Sequence, residues 1–240
     1  QLAAFGTRVI IVKSLGLEAA GYYQAAFSTA GSLPGFVFAA MCADFFPRVA
    51  AASTDEDGLR LVESQIQAGL LLTLPALALL LVLGGWCMRL LFSHSFEPAV
   101  PVLTWMVCGV FVRVISFPMG YFLLARGSSR LVLMAEALGG GATVLLSLWL
   151  TSSRGLAGGG QAFLASSIIY TLCLAIILRA KAVRWVGSFT ILVCLSAALA
   201  LASAKGLALL RPEWWWQSLL VAGISLACVF IYMRTVHREK

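Results

Sequence analysis

The chain has 240 residues, of which 61% are hydrophobic and 11% are charged, and its formal net charge is +7. A soluble domain of this length does not need so large an apolar fraction, so the composition excludes an ordinary water-soluble fold and predicts a membrane protein. The basic residues are spread over short loops, which makes them a signal of membrane orientation and argues against a nucleic-acid-binding domain.

Seven stretches with at most one charge are long enough to cross a bilayer, for which about 20 apolar residues suffice. In chain order they cover residues 19–43, 64–88, 101–124, 131–153, 155–178, 185–204 and 214–233. Residues 1–12 have the composition of the end of a further span, so we expect a C-terminal part of a longer protein. The pattern predicts an all-α, polytopic transmembrane helix bundle.

The distribution of Lys and Arg between alternate loops predicts the orientation of these spans. Ten basic residues lie on one side and five on the other, and the side with more basic residues is normally cytoplasmic. The larger set includes Arg234, Arg238 and Lys240 in the C-terminal tail, which is therefore expected in the cytoplasm.

Arg113 lies in the middle of the 24-residue stretch 101–124, which holds no other charge. An Arg side chain stays protonated, and leaving it at the membrane centre costs about 2.5–3.5 kcal/mol even on the more permissive scales. Such a residue usually faces a wet cavity or a partner, and the alternative is a structural pairing with a carboxylate. At helical spacing Arg113 shares a face with Trp105, Gly109 and Gly120, where Trp105 either stacks on a sugar ring or anchors the end of the span.

Arg8 is a second deep cation, about 10 Å inside the end of the first helix by the helical rise. If Arg8 and Arg113 share one cavity, they form a site for an anion such as pyrophosphate. Glu136 is the main acidic residue within a span and is either a partner of an Arg or a coupling-ion site. Asp44, beside Arg48, is most simply an interfacial ion pair.

Prolines occur at depth in three of the spans, at Pro34, Pro75 and Pro118, and the longest interruption between spans covers residues 44–63. Pro34 and Pro118 are candidate hinges, because kinked helices are tolerated in membranes and are common in transporters. The interruption combines an acidic cluster at Asp55 with an amphipathic stretch, which predicts a surface helix leading into the next span.

The cysteines and histidines indicate neither a metal site nor a catalytic centre. The six cysteines occur singly within spans or at their ends, and the two histidines, His94 and His237, are far apart without carboxylate neighbours. We therefore expect no metal, no cofactor and no catalytic residue, and a protein that is not an enzyme.

Several segments together resemble a known family. The string WMVCGVFVRVISFPMGYFLLARG at residues 105–127, Glu136, and GLAGGGQAF at 155–163 are similar to the second lobe of the polysaccharide and O-antigen flippases (Wzx type). The segments LGLEAAGYYQAA at 15–26 and FFPRVAAA at 45–52 fit the same pattern. These flippases belong to the multidrug/oligosaccharidyl-lipid/polysaccharide exporter superfamily.

The resemblance implies a domain organisation and a function. Residues 1–181 are expected to form the second transmembrane lobe, with a partial first helix and five spans, and residues 182–240 two additional helices and the cytoplasmic tail. The implied activity is translocation of undecaprenyl-pyrophosphate-linked oligosaccharide across the bacterial inner membrane for lipopolysaccharide or O-antigen biosynthesis. Implied partners are the N-terminal lobe of the same protein, membrane lipids, glycosyltransferases and a polysaccharide polymerase.

Within this interpretation Arg113, Arg8 and Trp105 contact the substrate, Glu136 and Asp44 are coupling or ion-pair residues, and Pro34 and Pro118 let the lobe bend. Two alternatives remain open. A multidrug or cation extruder of the same superfamily needs buried carboxylates for its substrate, and a membrane enzyme acting on lipid-linked sugars needs an acidic and histidine cluster at an interface.

Overall fold

The computed structural model describes residues 2–180, except for the side chains at positions 33, 34, 37, 40–42 and 180. Within this range the chain forms helices joined by short turns, without a strand, as the composition predicts. The helices are α1 (Leu2–Leu15), α2 (Leu17–Ala51), α3 (Asp55–Leu91), α4 (Val100–Ala125), α5 (Ser129–Arg154) and α6 (Leu156–Ala180), and a 3-10 helix (His94–Ala99) leads into α4.

The predicted spans correspond closely to these helices. The stretches 64–88, 101–124 and 131–153 lie inside α3, α4 and α5, and 155–178 matches α6 except for Gly155. The segments Asp55–Leu91, His94–Ala125, Ser129–Arg154 and Leu156–Arg179 are each long and apolar enough to cross a membrane. The predicted spans 185–204 and 214–233 and the tail lie outside the described residues.

Residues 44–63 do not form a separate surface helix, although the predicted helix start at the acidic cluster of Asp55 is confirmed. α2 continues to Ala51, α3 begins at Asp55, and the backbone N–H of Asp57 donates a 3.1 Å hydrogen bond to Oγ1 of Thr54, the N-cap of α3. With 35 and 37 residues, the two helices are each longer than 50 Å at about 1.5 Å per residue, against about 30 Å of hydrocarbon. Their polar ends therefore extend beyond the apolar stretch that the sequence pattern detects.

Glycines in the left-handed conformation end two of the helices. Gly127 has a φ of 69°, and its N–H and that of Ser128 donate to the carbonyls of Leu124 and Leu123 at the end of α4. Gly155, with a φ of 60°, separates α5 from α6. A residue with a Cβ adopts this backbone conformation at a cost, whereas glycine does so freely. These tight turns bring α4, α5 and α6 close to one another.

α4 is the central helix of the described bundle, in contact with α2, α3, α5 and α6. Its buried residues point in several directions and include Leu103, Met106 and Val114. α1 packs against α5, where the buried hydroxyl groups of Thr7 and Ser147 lie 3.2 Å apart and share a hydrogen bond. The position of α4 places the centre of its apolar span, and hence Arg113, inside the bundle.

α4 and α6 approach each other closely where glycine replaces a side chain. A Cβ on Gly109 would lie 2.5 Å from Cδ1 of Phe163 and 3.3 Å from the Cα of Leu164. A Cβ on Gly160 would lie 2.9 Å from the carbonyl oxygen of Val102. Small residues allow such contacts in membranes, where helix association depends on van der Waals packing.

Arg126 ties the end of α4 to the turn between α2 and α3. Its guanidinium donates hydrogen bonds to the carbonyl oxygens of Ala52, at 3.0 Å, and Thr54, at 2.5 Å, and its Nε lies 2.9 Å from the Asp55 carboxylate. The side chain is 21% exposed and also covers the ring of Phe122 at 5.6 Å. One side chain thus connects three helices at one end of the bundle.

We expect Gly109→Ala to lower stability, because the added methyl group displaces Phe163 or separates α4 from α6. Overpacking of this kind costs about 1–3 kcal/mol. The measurement is thermal unfolding of the complete protein in detergent. Gly85→Ala is the matched control, since nothing lies within 4 Å of a Cβ at that helical position. Equal unfolding temperatures for the two variants would contradict the close contact at Gly109.

We expect Arg126→Ala to destabilise the same end of the bundle by about 1–2 kcal/mol, because charged hydrogen bonds are lost at a partly solvated site. Arg130→Ala serves as the control, since Arg130 is an exposed residue in the first turn of α5. Thermal unfolding and proteolysis of the α2–α3 turn provide the measurements. The interpretation fails if Arg126→Ala and Arg130→Ala lower the melting temperature equally.

Candidate functional site

A cavity of about 1030 Å³ lies between α1, α2, α4, α5 and α6. Its wall contains the aromatic rings of Tyr23, Phe27, Phe38 and Phe163 and a surface of α5 formed by alanine, glycine and aliphatic residues. Among the described lining residues, Arg113 and Glu136 carry charges. The volume lies at the upper end of the usual range for ligand sites, and two charged groups in an apolar wall define where a polar ligand binds.

The guanidinium of Arg113 lies against two rings of α6. Its central carbon is 5.8 Å from the centre of the Phe163 ring and 5.3 Å from that of Tyr170. Each such contact contributes about 0.5–2 kcal/mol, because the cation is attracted to the negative face of the ring. Within residues 2–180, Arg113 forms no ion pair within 4 Å, and its buried Nε has no hydrogen-bond partner.

Arg113 lies far from both ends of its helix, so its charge must be stabilised inside the bundle. It is the fourteenth residue of α4, about 18–20 Å from either end of the helix by the helical rise. A carboxylate in contact with Arg113 would neutralise its charge, whereas the rings stabilise the cation and leave its charge in place. The rings also do not use the N–H donors of Arg113, which remain available to an anion in the cavity.

Glu136 reaches the same site from α5. It lies seven residues after Ser129, about 10 Å along the helix, and its side chain is exposed at the cavity wall. Glu136 and Arg113 therefore face the same cavity from α5 and α4.

Arg113 shares the cavity wall with Glu136, and within residues 2–180 no ion pair within 4 Å joins the two. Arg126 pairs with Asp55 instead, at the end of the bundle. Arg130 is exposed in the first turn of α5.

Arg8 lies behind the cavity wall. Its guanidinium covers the ring of Phe27 at 5.9 Å, and Phe27 meets Phe163 edge to face with the ring centres 6.2 Å apart. Arg8 itself is not among the lining residues, although its Nε is buried without a hydrogen-bond partner in the described structure. The two deep cations are thus linked through the edge-to-face pair of Phe27 and Phe163, and of the two only Arg113 lines the cavity.

The other predicted site residues lie elsewhere. Trp105 is 37% exposed and does not line the cavity; its Cβ would be 3.0 Å from a Cβ on Gly160, so it packs against α6. Asp44 forms an exposed ion pair with Arg48, with 3.0 Å between the charged atoms. Pro118 is buried within α4, and α2 continues through Pro34, whose side chain lies outside the described part of the chain.

A row of aromatic rings extends from the cavity towards the end of α2. Phe38, in the cavity wall, stacks on Phe117 with ring centres 4.5 Å apart, and Phe117 contacts Tyr121 at 4.6 Å. Phe46 meets Tyr121 at 6.2 Å. Sequence reasoning missed these rings and those of Phe163 and Tyr170, although the seven-residue spacing of the latter pair places them on one face of α6.

In residues 2–180, no group of three or more His, Cys, Asp or Glu side chains is placed to hold a metal ion. The described site contains one cation, one carboxylate and aromatic surface. Chemically, the arginine supplies donors for a negatively charged group, the carboxylate supplies acceptors, and the aromatic rings supply faces on which other rings can pack.

Comparison with known proteins gives three findings. Residues 2–101 match a family described as polysaccharide biosynthesis protein. The lipid III flippases of Escherichia coli (strain K12) and Shigella flexneri are each 23% identical over 176 residues, covering 71% of this chain and 41% of those proteins. A solved structure, the lipid II flippase MurJ in an inward closed conformation, aligns with a TM-score of 0.75 and 13% identity, covering 98% of this chain and 52% of that one.

The chain spans about two fifths of the length of the curated relatives it matches. The structural likeness shows a common fold, and the family match and the relatives agree with the resemblance seen in the sequence. Together the family match and the curated relatives support the interpretation of this chain as similar to the polysaccharide and lipid-linked flippases of the multidrug/oligosaccharidyl-lipid/polysaccharide exporter superfamily.

Proposed function

We propose that this chain forms one lobe of a transporter that moves undecaprenyl-pyrophosphate-linked oligosaccharide from the cytoplasmic to the periplasmic leaflet of the bacterial inner membrane, for polysaccharide or O-antigen biosynthesis. It acts as a transporter and not as an enzyme, by alternating access together with the N-terminal lobe of the same protein. The observation that carries the proposal is Arg113, a guanidinium in the wall of a cavity of about 1030 Å³ that has no ion pair within 4 Å among the described residues.

The chemistry of such a substrate requires a site of this type. A pyrophosphate and a glycan do not cross hydrocarbon unaided, because their charges and hydroxyl groups lose their hydration there. A hydrated, positively charged cavity replaces water around the phosphates while the lipid tail remains in the bilayer. Arg113 supplies forked N–H donors that match phosphate oxygens, and Arg8, behind Phe27, adds positive potential.

The aromatic wall suits the sugar part of the substrate. Sugar rings expose C–H faces that pack on aromatic rings, and Phe38 in the cavity wall begins a row of rings that continues to Phe117 and Tyr121. A pyrophosphate held at Arg113 therefore places its first sugars along this row. Bending of α2 and α4 near Pro34 and Pro118 accompanies the change between inward-facing and outward-facing states.

A cation extruder is the second candidate, and Glu136 is the observation that favours it, because organic cations need a carboxylate. Arg113 in the same cavity opposes cation binding, since its positive charge offsets that of the acid. An enzyme acting on lipid-linked sugars is less consistent with the described site, which combines one carboxylate with an arginine. Stabilisation of the complete protein by a prenyl pyrophosphate, and not by a lipophilic cation, would favour the flippase.

We expect Arg113→Gln in the complete protein to reduce flipping of a fluorescent prenyl-pyrophosphate glycan in proteoliposomes about tenfold or more. The reason is the loss of a charged hydrogen bond to phosphate, about 1.5–3 kcal/mol. Arg113→Lys should retain part of the activity, because Lys keeps the charge but loses the forked geometry. Arg130→Gln is the control for loss of a positive charge. Flipping by Arg113→Gln at the wild-type rate would exclude Arg113 from the site.

We expect the cavity to be hydrated. In a complete protein from which the six native cysteines have been removed, the variant Ala137→Cys should therefore react with a membrane-impermeant thiol reagent. Ala137 lines the cavity, whereas its neighbour Leu138 does not and is 53% exposed on the outer side of α5. Leu138→Cys should remain unlabelled. Equal labelling at both positions would show that the cavity is not a separate aqueous space.

A further inference from the structure

Glu136 is the acidic residue in the wall of the described cavity, and binding of a pyrophosphate at Arg113 does not use it. Its side chain is exposed at the cavity surface, and within residues 2–180 no ion pair within 4 Å joins it to a basic side chain. Two opposite charges that do not neutralise each other therefore face one cavity, so different parts of a single ligand can meet different charges.

The two charges lie at different depths in the bundle. Arg113 is twelve residues before the end of α4, and Glu136 is seven residues after the start of α5. At about 1.5 Å per residue, Glu136 is about 8 Å nearer than Arg113 to the turn that joins the two helices. A second contact agrees with this offset: a Cβ on Gly139, one turn after Glu136, would lie 3.2 Å from Cβ of Tyr170, whose ring contacts Arg113.

An aromatic ring lies on the same side of Arg113 as the carboxylate. Phe38, in the cavity wall, stacks on Phe117 with ring centres 4.5 Å apart, and Phe117 follows Arg113 by one turn of α4. Phe38 and Glu136 therefore both belong to the part of the cavity between Arg113 and the α4–α5 turn. A ligand whose phosphate is bound at Arg113 meets them with the group that follows the phosphate.

A carboxylate and an aromatic ring in one wall suit a sugar. The ring packs on the C–H face of the sugar, and the carboxylate accepts hydrogen bonds from hydroxyl or ammonium groups at its edge. The same carboxylate repels a sugar that itself carries a carboxylate, because two like charges in a partly desolvated cavity raise the free energy of the complex. A repulsion of this kind contributes to specificity as much as an attraction does.

We propose that Glu136 and Phe38 form the subsite for the sugar next to the pyrophosphate, and that Glu136 makes this subsite selective for neutral or amino sugars over acidic ones. The proposal rests on the function proposed above and specifies the substrate class of the same site: a prenyl-pyrophosphate glycan whose first sugar carries no acidic group. Arg113 binds the pyrophosphate, Phe38 packs on the sugar ring, and Glu136 discriminates by the charge at the edge of the sugar.

The test measures binding to the complete protein in nanodiscs. Three probes are farnesyl pyrophosphate diesters of glucose, glucuronic acid and 6-amino-6-deoxyglucose, which differ only at the sixth carbon of the sugar. Farnesyl methyl pyrophosphate is the probe without a sugar. The wild type should bind the glucose probe about five- to tenfold more tightly than the glucuronic acid probe, and the amino sugar probe at least as tightly as the glucose probe.

We expect Glu136→Gln to lower the preference for glucose over glucuronic acid to about twofold or less, because the repelling charge is removed. Since this ratio compares two probes in one variant, a general change in affinity for the pyrophosphate cancels. Glu56→Gln is the matched control: it removes a negative charge from an exposed position in the first turn of α3 and should keep the wild-type ratio.

We expect Phe38→Leu to reduce about threefold the gain in affinity that the glucose probe shows over the probe without a sugar. The affinity for the probe without a sugar should stay as in the wild type. Phe92→Leu is the control for the loss of a ring, since Phe92 is 42% exposed and stacks on Phe96 outside the cavity.

The outcomes separate this proposal from the proposed function. Equal wild-type affinities for the glucose and glucuronic acid probes overturn the selectivity, as does a Glu136→Gln variant that keeps the wild-type preference; the anion site at Arg113 is unaffected by either result. Arg113→Gln should bind all four probes weakly. If Arg113→Gln binds the probe without a sugar as the wild type does, the proposed function loses its anion site, and the sugar subsite that depends on it is overturned as well.

Discussion

The contact between the Arg113 guanidinium and the rings of Phe163 and Tyr170 is the interaction on which the rest of the site depends. A permanent charge in the middle of an apolar span must be compensated, by a carboxylate, by water or by polarisable surface. The structure uses aromatic faces, which lower the cost of the cation without cancelling its charge. The positive potential that results is available to a ligand in the adjoining cavity.

Formation of this contact also determines how tightly the helices pack. Both rings come from α6, so α6 must lie against the face of α4 that carries Arg113. Gly109 and Gly120 on that face allow the approach, since a Cβ on either one would lie within 3.2 Å of Phe163 or Tyr170. The packing of the two helices and the electrostatics of the cavity therefore have the same structural origin, and a residue that separates the helices also weakens the site.

Two arginines of the same region show how location decides function. Arg126, at the end of α4, is neutralised by Asp55 and by two backbone carbonyls, and it stabilises a turn. Arg113, at mid-depth, lies against the rings of Phe163 and Tyr170 and forms no ion pair within 4 Å in residues 2–180. A carboxylate in direct contact produces a structural ion pair, whereas aromatic rings stabilise the cation without neutralising it.

The sequence by itself determined the membrane class, the spans corresponding to α3 to α6 and the depth of Arg113, because the length of an apolar run and the charge within it are local properties. It could not identify Tyr170 as the partner of Arg113, since the two are 57 positions apart and only the packing of α6 on α4 joins them. For the same reason, helical periodicity placed Trp105 on the face of α4 that carries Arg113. It could not show that Trp105 packs against α6 and lies outside the cavity. Only the tertiary structure decided which polar residues share the cavity, because that depends on which helices are neighbours and not on the pattern along any one of them.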